Sequence, residues 1–212
     1  MRNNFDLIDP LLEFTEPNTF YFVQILKRRK ENPEMKANTS VIDNFYLYTP
    51  QDLAKLMPRI IEQCEKNNAR AYINLNRLDL ERVALYVVKQ TMDCIINKDF
   101  KSVKNVYQSV CGSHFSEKDK KWIIDIDENE LHHKDEVVSI IEKLHAEIPK
   151  KNYKILAEIP TKTGLHLIVN PFNVAKFVHI MTLRELTKIE RKDNSPTILY
   201  VGDSIKINTE NE

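Results

Sequence analysis

The spacing of apolar residues in the first half of the chain changes repeatedly between the period of a strand and that of a helix. Two short runs rich in β-branched and aromatic residues, at positions 45–48 and 71–75, are typical of strands. Thr49 follows the first run, with proline next and then Asp52, a pattern that predicts a capped helix start. After the second run the apolar positions predict a helix with one buried face, formed by Leu80, Val83, Ala84, Val87, Val88, Met92 and Ile95. Residues 1–112 are therefore predicted to form an N-terminal α/β unit that begins with an irregular segment.

The second half predicts a different arrangement, in which two strands adjoin as a hairpin. An apolar strand at 121–127 precedes a helical pattern, and strands at 154–159 and 165–169 are joined by a turn at 161–164. A short helix around 174–181, a polar insert and a last strand at 197–201 complete the series. The order strand, helix, strand, strand, helix, strand is that of a ferredoxin-like or RNA-recognition-like sheet, which is mostly antiparallel. The predicted fold class is α+β: the N-terminal unit packs on an RNA-recognition-like unit at 113–205, within one compact domain that ends in a polar tail at 206–212.

Composition narrows the classes of function. The chain has 212 residues, of which 42% are hydrophobic and 29% charged, as in an ordinary globular protein. It has no apolar run long enough to span a membrane and no apolar stretch like that of a signal peptide, so a cytoplasmic location is expected. Three widely spaced cysteines exclude a disulfide framework and give no zinc pattern. With a net charge of zero, nucleic-acid binding would depend on local basic clusters such as residues 27–30, although a solvated surface is the simpler interpretation of that cluster.

Two aspartates near the end of the strand at 121–127 are the most informative chemical feature of the sequence. Side chains alternate along a strand, so Asp125 and Asp127 point to one face while Ile124 and Ile126 fill the other. Two carboxylates this close repel each other unless a cation compensates them, and a divalent metal ion is the simplest compensator. The alternative is a pair of solvated carboxylates where the strand enters a loop.

A histidine on the predicted hairpin is the second candidate. In the ferredoxin-like order the first and third strands are neighbours, which would bring His166 near Asp125 and Asp127. The preceding turn, formed by Thr161, Lys162, Thr163 and Gly164, offers hydroxyls, a cation and backbone donors. These groups suit an anion such as a nucleotide phosphate.

These motifs together resemble those of the archaeo-eukaryotic primase superfamily, also called primase-polymerases. The family's first motif, an apolar strand that ends in D-x-D or D-x-E, matches Asp125 and Asp127 after Ile123 and Ile124. Its second motif, a turn of small residues and then a histidine on a strand, is matched by residues 163–166, and Asp203 follows an apolar strand as the family's third acid does. The family also places an α/β unit before its RNA-recognition-like unit.

The resemblance implies nucleotidyl transfer on a nucleic-acid template, as in a phage or mobile-element replication system. Asp125, Asp127 and Asp203 would be the catalytic carboxylates and would hold two Mg²⁺ or Mn²⁺ ions. His166 would contact the triphosphate of a nucleoside triphosphate substrate with help from Thr161, Lys162 and Thr163. Arg77 or Lys121 would contact phosphates of a single-stranded DNA or RNA template, and a replication protein could be a partner.

Departures from the family pattern keep other functions open. Gly164 stands where many members of the family have serine. A non-catalytic nucleic-acid-binding module of the same fold is one alternative, and a metal-dependent nuclease is another. Replication-initiating nucleases carry two histidines separated by one residue, a pattern that the adjacent His132 and His133 fit poorly.

Overall fold

The computed structural model describes residues 1–113, 120–144 and 154–202, which form ten strands and six α-helices. In chain order these are β1 (Arg2–Asn3), α1 (Phe5–Ile8), β2 (Thr19–Arg28), β3 (Thr39–Leu47), α2 (Pro50–Asn67), β4 (Arg70–Ile73), β5 (Leu78–Asp79), α3 (Leu80–Ile96), α4 (Val106–Ser113), β6 (Trp122–Ile126), α5 (Lys134–Lys143), β7 (Ile155–Pro160), β8 (Leu165–Val169), α6 (Val174–Leu183), β9 (Glu190–Lys192) and β10 (Thr197–Val201). The α+β fold class predicted from the sequence is confirmed. None of the helices in this part of the chain is both long and apolar enough to cross a membrane.

The strands form two antiparallel sheets. The first sheet has the order β1-β10-β4-β2-β3, and β5 pairs with the start of β2. Helix α2 contacts this sheet, and the predicted cap at its start is present: the Asp52 carboxylate accepts a hydrogen bond from the Thr49 backbone N–H at 2.8 Å. The second sheet has the order β7-β8-β6-β9. Its strands and helices follow one another as β6, α5, β7, β8, α6, β9, which is the predicted ferredoxin-like series with β6 and β8 in the centre.

The fourth strand of the second sheet is not the one that the sequence pattern predicted. Residues 197–201 were expected there, but they form β10 of the first sheet, between β1 and β4. All five residues of β10 are buried, which requires a central position with both faces covered. The stretch expected to be a polar insert supplies the fourth strand instead. This strand, β9, is short, charged and partly exposed, as suits the edge of a sheet.

Helix α3 forms where the sequence predicted it, but its apolar face is not buried as expected. Val83 is its one buried residue, and it packs in a small core with Phe20 and Phe22 of the first sheet. The predicted face is wider than this contact. Four of its members therefore remain exposed to solvent: Ala84, Val88, Met92 and Ile95.

The second sheet is covered on both faces by different partners. Trp122, Ile124 and Ile126 of β6 share a core with α5 and α6. On the opposite face, Ile123 of β6 and Ile168 of β8 belong to the same core as the first sheet and α2. The alternation of side chains along β6 therefore directs Asp125, which lies on the face of Ile123, toward the first sheet.

Two buried asparagines connect the two sheets through backbone groups. The Asn4 side chain donates to the carbonyl oxygens of Pro160 and Ile198, at 2.9 Å each. Asn76 accepts from the Lys121 N–H at 2.6 Å and donates to the Lys121 carbonyl oxygen at 3.1 Å, and it also donates to the carbonyl oxygen of Asp193. Because Lys121 directly precedes β6 and Asp193 directly follows β9, Asn76 fixes where β6 begins and β9 ends relative to the first sheet.

Replacing Asn76 with alanine should destabilise the fold by about 2 kcal/mol or more, since it leaves buried backbone groups without partners. Denaturation by urea, followed by circular dichroism, measures this change. Asn105→Ala, at an exposed position, is the matched control and should alter the free energy of unfolding by less than about 0.5 kcal/mol. Equal effects of the two substitutions would show that Asn76 does not hold the sheets together.

Candidate functional site

The contact between Asp125 and His166 is the centre of the site. The two residues lie directly opposite each other on β6 and β8, so their side chains leave the sheet on the same face. His166 Nε2 lies 3.3 Å from Asp125 Oδ1. Both side chains are mostly buried, with exposed fractions of 12% for His166 and 21% for Asp125. The ferredoxin-like order thus brings together the two residues that the sequence pattern predicted to be neighbours.

The other ring nitrogen of His166 is held by the first sheet. His166 Nδ1 lies 2.9 Å from the hydroxyl oxygen of Thr197, a fully buried residue at the start of β10. With Nε2 donating to Asp125, Nδ1 of a neutral ring accepts the hydroxyl proton of Thr197. The two partners fix the orientation of the ring between the sheets.

Lys192 is a second partner of Asp125, and the sequence pattern did not predict it. Its ammonium group binds Asp125 Oδ2. On strand β9, Arg191 turns to the helix-covered face and lies over the Trp122 ring, 4.4 Å from the ring centroid. Side chains alternate along the strand, so this anchor directs Lys192 to the face of Asp125. The sequence did not predict this strand, because a short charged strand at the edge of a sheet has no apolar pattern.

These contacts keep the Asp125 carboxylate charged. The hydrogen bond with His166 is the main cause that lowers the pKa of Asp125 from its usual 3.8 to about 2, and Lys192 adds to the effect while burial opposes it. The Asp125 carboxylate therefore carries its charge at neutral pH, and Lys192 already supplies one cationic partner for it.

A pocket of about 470 Å³ lies over this contact, between the two sheets. It is lined by residues from both halves of the chain: Arg28, Lys30, Glu31, Arg70, Tyr72, Asp125, Asp127, Thr161, Lys162, Thr163, His166, Lys192, Ser195, Pro196 and Ile198. Five of these are cationic and three are carboxylates, so the pocket carries an excess of positive charge in a chain whose net charge is zero. Such a pocket suits an anion that brings several negative charges.

The turn between β7 and β8 forms one wall of the pocket. Its shape is fixed by Thr161, whose hydroxyl accepts from the Gly164 N–H at 2.9 Å. A Cβ atom on residue 164 would lie 2.3 Å from the Ile126 carbonyl oxygen, so only glycine fits against the end of β6. The glycine that departs from the family pattern is therefore required by the close approach of this turn to the aspartate strand.

Charged residues from the first sheet and its loops form the opposite wall. The Glu31 side chain is only 7% exposed, pairs with the buried Arg70 of β4, and lies 3.6 Å from Lys162 of the turn. Arg28, at the end of β2, donates to the Tyr72 hydroxyl at 3.2 Å. The basic cluster at 27–30 thus contributes Arg28 and Lys30 to the pocket. The simpler interpretation of the sequence had placed this cluster on a solvated surface.

Among the residues predicted for the site, six line this pocket: Asp125, Asp127, Thr161, Lys162, Thr163 and His166. Asp127 is exposed at the end of β6. Arg77 and Lys121, predicted to contact a template, are buried outside it, where Arg77 donates to the Glu13 carbonyl oxygen and Lys121 lies 3.7 Å from the Glu13 carboxylate. Asp203, predicted as a third carboxylate, lies outside the described residues. Within residues 1–113, 120–144 and 154–202, no group of three or more His, Cys, Asp or Glu side chains is arranged to hold a metal ion.

Comparisons with known proteins found no match among family models, curated proteins or solved structures.

The lowered pKa of Asp125 predicts a specific dependence of stability on pH. Its contribution is fully present above the unfolded pKa of 3.8 and is lost as the pH falls toward the folded value of about 2. The difference in free energy of unfolding between the wild type and Asp125→Asn should therefore stay constant above about pH 5 and shrink in more acidic solution. Urea denaturation at a series of pH values measures this difference.

Asp135→Asn is the matched control for this experiment, because the Asp135 side chain is 97% exposed. Its difference from the wild type should be nearly independent of pH. A difference for Asp125→Asn that is equally flat across the acidic range would contradict the ion pairing described for Asp125.

Proposed function

We propose that this chain is a primase-like or polymerase-like nucleotidyltransferase that joins nucleotides on a nucleic-acid template. The observation that carries the proposal is the contact of Asp125 with His166 inside a cationic pocket that Asp127 also lines. The pocket is large enough for a nucleotide, and its lining includes the apolar side chains of Pro196 and Ile198. The resemblance of the two short motifs to those of primase-polymerases supports the same function.

The basic side chains would bind the triphosphate. Lys162 projects from an exposed turn, and Lys192 already binds one carboxylate, so each could form charge-assisted hydrogen bonds to phosphate oxygens. The N–H at His166 Nε2 donates to Asp125 in this structure; once a divalent ion binds that carboxylate, it would donate to a phosphate oxygen instead. The Glu31 carboxylate would keep Arg70 and Lys162 in place while the substrate exchanges.

The carboxylates fit a divalent ion that enters with the nucleotide. Mg²⁺ is commonly bound by one or two carboxylates together with substrate phosphates, and Asp125 and Asp127 supply two carboxylates on one pocket. The Asp127 carboxylate makes no ion pair or hydrogen bond with the described residues, so it is open to a new ligand. When bound, Mg²⁺ or Mn²⁺ would lower the pKa of the attacking hydroxyl and neutralise the charge of the departing pyrophosphate.

A second candidate is a module of the same fold that binds nucleotides or nucleic acid without catalysis. Two observations favour it: both oxygens of Asp125 already have cationic or hydrogen-bonding partners, and the described residues contain no cluster of three metal ligands. The two candidates share the pocket and its anionic ligand. They differ in whether a product is formed.

Primer synthesis and extension on single-stranded DNA with Mn²⁺ and labelled nucleoside triphosphates tests the proposal. The wild type should extend the primer, and the double variant Asp125→Ala plus Asp127→Ala should lose at least about a hundredfold in rate, since both carboxylates that would hold the divalent ion are removed. Asp99→Ala plus Asp135→Ala removes two exposed carboxylates outside the pocket and should keep the wild-type rate.

The same assay separates the alternatives. Activity that survives the change at Asp125 and Asp127 would contradict the assigned roles. Nucleotide binding without extension, measured by equilibrium dialysis with the labelled triphosphate, would establish the non-catalytic module, and shortening of an end-labelled template in a parallel reaction would establish a nuclease.

A further inference from the structure

Helix α3 carries an exposed apolar stripe on the side that faces away from the first sheet. Its inner side uses Val83 and Val87 to pack against the core. Its outer side exposes large apolar side chains at spacings of three and four, with exposed fractions between 45% and 70%: Leu85, Val88, Met92, Ile95 and Ile96. Phe100, four residues after the last residue of the helix, is also exposed, at 65%.

The stripe lies at the upper end of the range of apolar patches found on monomers. Together with Phe100, its side chains expose on the order of 600 Å² of mostly apolar surface, at the upper limit for the largest patch on a typical monomer. A standard interface between two proteins buries about 800 Å² on each partner. The stripe with its rim is therefore the size of one side of an interface.

The charges beside the stripe indicate which partner fits. Lys89 and Asp93 lie four residues apart along one edge of the stripe, and both are exposed. In an antiparallel helix pair related by a two-fold axis, the same edge of each helix meets, and the sequence positions run in opposite directions. With the axis level with Thr91, Lys89 of each copy faces Asp93 of the other.

The apolar residues interdigitate in the same register. Leu85 of one copy then packs against Ile96 of the second copy, and Val88 packs against Ile95. The two Met92 side chains meet beside the axis. In each of the first two pairs the facing side chains are offset by one residue, about 1.5 Å along the helix axis, which allows them to interdigitate.

We infer that α3 is a homodimerisation surface, on which a second copy of this chain packs its own α3 in antiparallel orientation. The inference does not depend on the proposed nucleotidyl transfer, since none of the stripe residues lines the pocket over Asp125. Two-fold symmetry makes each favourable pair occur twice, so a single charge substitution should alter two contacts of the dimer.

Analytical ultracentrifugation of the full chain over a wide range of concentration tests this inference. The wild type should sediment as a dimer that dissociates on dilution. Val88→Glu, which places a charge in the stripe, should weaken the dimer by at least about tenfold. Val178→Glu on α6 is the matched control, because Val178 is similarly exposed at 54% but lies outside the stripe, and it should leave the dimer unchanged.

Charge reversal tests the register. Lys89→Glu alone and Asp93→Lys alone should each weaken the dimer, because they place like charges opposite each other on both sides of the two-fold axis. The double variant should restore it. Met92→Cys should form a disulfide-linked dimer under oxidising conditions, whereas Val178→Cys should not.

Two results would overturn the inference. One is a wild type that remains monomeric at every concentration, and the other is a dimer that Val88→Glu does not weaken. A dimer in which the double charge reversal fails to rescue the single changes, and in which Met92→Cys does not crosslink, would overturn the antiparallel register.

Discussion

The placement of strand β10 in the first sheet is the constraint on which the rest of this structure depends. A strand with five consecutive buried residues must lie between two others, and the positions beside β1 and β4 satisfy that requirement. The chain therefore leaves the second sheet after β9 and returns to the first. Because Thr197 begins β10, the return places its hydroxyl against the His166 ring. Thr197 of the first sheet thus sets the orientation of the His166 ring, which faces Asp125 within the second sheet.

Electrostatics explains why the pocket remains polar between two buried sheet faces. A carboxylate that is mostly buried requires compensation, and Asp125 receives it from His166 on one neighbouring strand and from Lys192 on the other. Glu31 is compensated in the same way by Arg70 and Lys162. Each of these two acids therefore brings basic side chains to the rim of the pocket. The excess of positive charge that results suits a polyanionic ligand.

The sequence predicted those parts of the site that follow from local periodicity. The alternation along residues 121–127 placed both aspartates on one face, and the order of elements placed His166 on the neighbouring strand; the structure agrees with both. Gly164 differs from the serine of the motif that it resembles. The reason for glycine, its close approach to the Ile126 carbonyl oxygen, depends on tertiary structure and cannot be predicted from the sequence. The positions of Arg70 and Glu31 could not be predicted, because they belong to the other half of the chain and no local pattern relates them to the aspartate strand. The exposure of α3 was missed for a similar reason: an apolar stripe specifies that a face will be covered, but not whether the same chain covers it.

A crystal structure of the chain with Mn²⁺ and a non-hydrolysable nucleoside triphosphate tests most directly whether the pocket between the sheets is a nucleotide site. We expect an anomalous scattering peak for manganese at the carboxylates of Asp125 and Asp127, with the triphosphate in contact with His166 and Lys162. A nucleotide bound elsewhere on the protein, or manganese that avoids both aspartates while the nucleotide is present, would contradict this expectation.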